Sequence, residues 1–176
     1  MNQFSVRSIV LVKKTIPILL VFTLSFMLAG CNFIAEQKAK SVTKNYYNAL
    51  IDEDYDEAFD QLYLYDYNED KHAMDGTSLS KEEAKEFYMQ KINYLKEQNY
   101  KVKDFEIHNI RYEDGHTFFL EIILNVEKNG EGFERSEIVD ASSGKAWIIE
   151  EDDPFSMYRD GKMNFDIEKE AQEDAA

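Results

Sequence analysis

After Cys31 the chain has no further cysteine, which excludes disulfides, thiolate metal sites and thiol catalysis from everything that follows it. Proline is nearly as scarce, with two residues, and the seven glycines are scattered, so no glycine-rich phosphate cradle can be assembled. The three histidines, His72, His108 and His116, form no HxH or HxxxH pair. Neither an HExxH sequence nor a GxSxG elbow is present. Bases are also in short supply: 20 Lys and Arg face 35 Asp and Glu, for a net charge of −15. Such an excess repels phosphate backbones and anionic lipid surfaces, and so argues against nucleic acid as a partner. The acidic run 52–57 fails as a calcium loop, because its sixth position is Glu57 instead of glycine and its twelfth is Tyr63 instead of glutamate. It reads as a helix–helix junction. The sequence calls for no cofactor and no metal.

What the chain does have is a patterned N-terminus. Lys13 and Lys14 precede an apolar stretch, Ile16 to Leu28, interrupted by Pro17, Thr23 and Ser25. That run is short of the ~20 residues of a membrane-spanning helix and suits the apolar region of an export signal. Leu28-Ala29-Gly30-Cys31 closes it. This segment resembles the lipobox of bacterial lipoproteins, which implies cleavage between Gly30 and Cys31 and a diacylglyceryl thioether on Cys31. Two acyl chains hold a protein on a membrane stably where one does not. Residues 1–30 carry Arg7, Lys13, Lys14 and no acid, so their removal would take the net charge from −15 to −18. Abundant Lys, Asn, Ile, Tyr and Glu resemble the composition of low-GC Gram-positive proteins. The implied location is the outer side of the cell membrane, held by the lipid.

Cys31 to Ala176 is 146 residues, enough for one domain with its own core. Residues 31–37 read as a tether and 38–152 as a single α+β domain. Residues 153–176 read as an acidic extension, with 169–176 disordered. Within the domain, Ala39, Val42, Tyr46, Ala49 and Leu50 recur at helical spacing. Asp54 with Glu57, and Ser80 with Glu83, have the spacing of capping boxes that start two more helices. Residues 66–79 read as a polar loop. From residue 101 the apolar period falls to two, with a change of parity near His108-Asn109 that predicts a bulge. Asp114-Gly115 and Asn129-Gly130 read as hairpin turns, and Phe118 to Val126 as a central strand. Helices followed by hairpin-linked strands describe helices packed on one face of an antiparallel sheet of about four strands.

The segment from Asn45 to Phe59 (NYYNALIDEDYDEAF), together with the closing strand around Trp147, resembles the nuclear-transport-factor-2-like superfamily over about residues 36–152. The resemblance implies a strongly curved, cone-like sheet with a cavity at its open end. Some members are isomerases or lyases, whose chemistry uses a carboxylate inside the cone opposite a tyrosine or a protonated acid. On that analogy Glu121, with Tyr46, Tyr88 and Tyr112 as donors, forms the candidate pocket. The bland alternative for Glu121 is a solvent-facing side chain between Phe119 and Ile123. The leading functional expectation is a membrane-anchored, non-catalytic binding or interaction module, with no catalytic residues. The alternative is a small-molecule isomerase or lyase using the cone. A small apolar ligand, a protein partner and a homodimer through the sheet all remain open as partners.

Overall fold

The computed structural model describes residues 33–67, 73–113 and 117–173. Gly30, Cys31, His72, His116 and the Asp114-Gly115 turn therefore lie outside the described residues. The chain divides into two units at Gln37/Lys38. Of the first unit only residues 33–37 are described; read as tether, they are helical, with Phe33 and Ile34 exposed. No described helix is long and apolar enough to cross a membrane.

The second unit is α+β. Its helices are α1 (residues 33–51, of which 38–51 fall here), α2 (Tyr55–Gln61), α3 (Lys81–Glu97) and a short α4 (Ile167–Glu173). Two strand segments, β1 (Tyr65–Asp66) and β6 (Lys162–Met163), pair in parallel. Between them in sequence comes a four-stranded antiparallel meander: β2 (Tyr100–Glu113), β3 (Thr117–Lys128), β4 (Glu131–Asp140) and β5 (Trp147–Glu151).

Local chemistry accounts for the element ends. The Ser80 hydroxyl accepts from the Glu83 amide at 3.3 Å while the Glu83 carboxylate accepts from the Ser80 amide at 2.9 Å, closing the expected capping box. At α2 only half of the box forms: Asp54 accepts from the Glu57 amide at 3.1 Å, but the Glu57 carboxylate accepts from the Gln61 amide group at 2.6 Å. Asn129 and Gly130 have φ of 53° and 84°, the two left-handed positions of a type I′ hairpin turn between β3 and β4. The bulge expected near His108 is present, as a register shift between Ile107 and Asn109. A second shift, between Val102 and Asp104, has its counterpart in the change of apolar parity from Tyr100 and Val102 to Phe105 and Ile107.

Alternation along β3 puts Phe118, Leu120, Ile122, Leu124 and Val126 on the inner face, all buried, against Tyr46 and Leu50 of α1, Phe59 of α2 and Tyr88, Ile92 and Leu95 of α3. Two expectations need correction. The domain does not end at residue 152: Phe155, Tyr158, Met163 and Phe165 belong to the same buried cluster. Their irregular spacing offers no period to read, yet burial of four large apolar side chains outweighs the ordering entropy of the segment. The polar stretch from residue 66 is likewise not simply loop. Asp66 lies in β1, and its buried carboxylate accepts from Thr77, Ser78 and the Asn164 side chain at 2.7–3.1 Å. Gly161 sits where β6 crosses the chain before β1. A Cβ there would collide with the Tyr63 carbonyl, so only glycine allows this approach.

Candidate functional site

Among the described residues the densest chemistry is internal. Residues 153–160 carry Arg159 into the space between α1, the start of β2 and the inner face of β4, where it is wholly buried. Its guanidinium is bidentate on Glu137, with Nη2 in close contact with Oε1 and Nη1 3.2 Å from Oε2. Nη2 also donates to Asp153 at 3.2 Å, and Nε lies 3.4 Å from the Tyr100 hydroxyl. Three phenols complete the cluster. Tyr47 donates to Glu137 at 2.5 Å, Tyr100 to Asp153 at 2.5 Å, and Tyr46 to the Arg159 carbonyl at 2.7 Å. Planar, five-donor arginine suits this role, because it satisfies two carboxylates at once.

A second buried pair abuts the first. The Lys91 ammonium donates to the Asp160 carboxylate at 3.0 Å and to the carbonyls of Asp160 and Lys162 at 2.8 Å each. All three of its protons are thereby accepted. Tyr88 OH, Thr43 Oγ1 and Asp160 Oδ2 are buried without a hydrogen-bond partner among the described residues.

Electrostatics follow from burial. Desolvation pushes Asp153 up, against the hydrogen bonds from Tyr100 and the Phe155 amide. Burial opposes the charge on Arg159 as well, but the oxygens of Tyr100, Tyr46 and Tyr47 around it hold it above its ordinary value. Desolvation raises Tyr46, Tyr47, Tyr65, Tyr88 and Tyr100 well above the usual phenol range. Above about pH 10 the unfolded chain releases tyrosine protons that the folded chain keeps, so stability falls as pH rises through that range. Alkaline titration should therefore leave these five tyrosines protonated until a cooperative step in tyrosinate absorbance that coincides with loss of the near-ultraviolet dichroism. Ionisation of all eleven tyrosines with the dichroism intact would contradict this burial.

The four residues of the expected pocket are not brought together. Tyr46 and Tyr88 are in the core, Tyr46 held by Arg159 and Tyr88 packed 5.5 Å from the Phe59 ring. Tyr112 lies near the end of β2 against Phe118, 42% exposed. Glu121 is on the opposite face of β3 from Leu120 and Ile122, one-third exposed, with Arg111 Nε at 3.2 Å. His108 lies at the β2 bulge and borders a shallow groove of the outer sheet face that Glu121 also lines.

Glu137, Asp153, Arg159, Lys91 and Asp160, the internal network, were absent from the sequence reading. Two of them carry a signal. Glu137 shares the parity of Val139 on β4, and Lys91 falls in the α3 stripe between Tyr88 and Leu95. A charge inside an apolar stripe marks a buried pair. Arg159 and Asp153 lie in aperiodic chain and carry no such mark. No protein-family model, no curated protein and no solved structure matches the chain.

Proposed function

We propose that the chain is an exported lipoprotein, anchored through Cys31, whose α+β domain binds a partner and does not transform it. The observation that carries this reading is the occupancy of the interior by the chain's own side chains. A cone-type isomerase or lyase needs a carboxylate free to exchange a proton with substrate, opposite a hydroxyl donor. Here Glu137 and Asp153 are both bonded to Arg159 and to a tyrosine, at 2–3% exposure. Their lone pairs are committed to holding the C-terminal segment in place. The order of elements, helices before a meander, supports kinship of shape with the nuclear-transport-factor-2-like superfamily, with the C-terminal segment filling what would be its cavity.

The anchor is tested by detergent phase partitioning. Wild type should enter the detergent phase, and Cys31→Ala should shift to the aqueous phase once its signal is removed. Equal detergent partition of both would show that the apolar segment is the anchor. The binding-module reading is tested at Glu121, the acid that the resemblance singles out. Glu121→Gln should change stability by no more than about 0.5 kcal/mol, as exposed positions do, and should complement a deletion strain fully. Loss of complementation with stability unchanged would promote the isomerase or lyase alternative.

A further inference from the structure

The corner where α1 hands over to α2 borders a partly open cavity of about 190 Å³, which reaches the interior network at Arg159 and Tyr100. Leu50, Ile92, Leu95 and Val102 supply apolar wall, and Lys101 and Lys103 stand on its lining. A dry apolar cavity of ~150 Å³ takes a benzene-sized guest, so this one has room for a single ring or a branched aliphatic body. Its charge is the reverse of the molecule's. In a chain with 35 acids and 20 bases, the lining holds three cations and one acid, Glu53. The cations differ in commitment. Arg159, at the deep end, is matched by Glu137 and Asp153, and Lys101 is paired with Glu53 at 2.6 Å. Lys103 is half-exposed, with Glu127 at a loose 3.9 Å, and so carries the positive charge most readily turned to a ligand.

We infer that this cavity binds a small monocarboxylate with an apolar body, the ring or branched chain against Leu50, Ile92 and Leu95 and the carboxylate toward Lys103. A neutral guest would forgo the charge-assisted bond, and an amine would meet like charge. The inference rests on the binding-module reading and gives it a ligand class. Its failure would leave the Cys31 partition result untouched, and failure of that anchor test would leave the titration below unaffected.

The test is ligand-observed fluorine NMR on the full chain in phosphatidylcholine nanodiscs, with para-fluorophenylacetate as probe and empty nanodiscs as blank. The acid should show saturable broadening above the blank. The corresponding amide should bind at least about tenfold more weakly, the difference one hydrogen bond to a charged group makes. Lys103→Gln should bind acid and amide alike, and Ile51→Trp, which puts an indole into the cavity, should abolish broadening by both. Absence of saturable broadening in wild type would overturn the assignment, as would equal affinity for acid and amide. If Ile51→Trp does not fold, the half-exposed Lys103 position decides alone: an acid preference surviving Lys103→Gln refutes the proposed carboxylate site.

Discussion

Arg159→Met is expected to cost about 3–5 kcal/mol of folding stability, the range for removing one partner of a buried ion pair. Domains of this size are stable by only about 5–15 kcal/mol, so the variant should be unfolded or close to it. The loss comes less from the missing attraction than from what stays behind. Glu137 would be left buried with only the Tyr47 hydroxyl, and Asp153 with the Tyr100 hydroxyl and the Phe155 amide. Arg159→Lys should recover only part of the loss, since an ammonium cannot reproduce the fork that spans two carboxylates. The triple variant Arg159→Met, Glu137→Gln, Asp153→Asn removes all three charges together and should recover most of it. Urea unfolding of the four proteins is the measurement. A cost under about 1 kcal/mol for Arg159→Met would mean that the guanidinium is not buried among these carboxylates.

Lys91→Met should be nearly as costly, again about 3–5 kcal/mol, because it leaves Asp160 in the core without its ammonium. It also has a pH signature. Burial, only partly opposed by Asp160, pushes Lys91 from its ordinary 10.5 down to about 8. Between those values the unfolded chain binds a proton that the folded chain has released. Stability contributed by this group therefore rises with pH from about 8 to about 10.5. The variant lacks that slope, so the stability difference between wild type and Lys91→Met should widen from pH 8 to 10. A difference that narrows would show that Lys91 is raised by its partner instead of depressed by burial. Beyond pH 10 the tyrosine effect takes over with opposite sign, giving wild type a maximum in the alkaline range.

What could be read in advance divides along physical lines. Elements that repeat a period announced themselves: the α3 stripe, the alternation of β3, the parity change at His108 and the Asn129-Gly130 turn all reflect backbone geometry written into neighbouring residues. The segment after residue 152 was opaque for the converse reason. Its apolar and charged residues follow no period, and each is placed by a partner far away in sequence, as Tyr46 and Arg159 are, 113 residues apart. The candidate pocket failed although its strand was legible. Sheet parity separates Glu121 from Leu120 and Ile122, and the five apolar residues on their face mark it as the one turned toward the helices. The tyrosines went to one side of the sheet and the glutamate to the other.

The position of Arg159 after the meander in sequence also bears on when the core can be completed. Helices α1 and α3 and strand β4 are synthesised first, leaving Tyr46, Lys91 and Glu137 without Arg159, Asp160 and Lys162 until residues 153–165 arrive. Until then the core lacks four of its apolar side chains and would hold one carboxylate and one ammonium unmatched, so it should not be stable. Closure over so many residues is slow compared with local helix formation. Completion of folding is thus tied to the arrival of residues 153–165, and a chain truncated before Phe155 would resemble a vessel without its stopper.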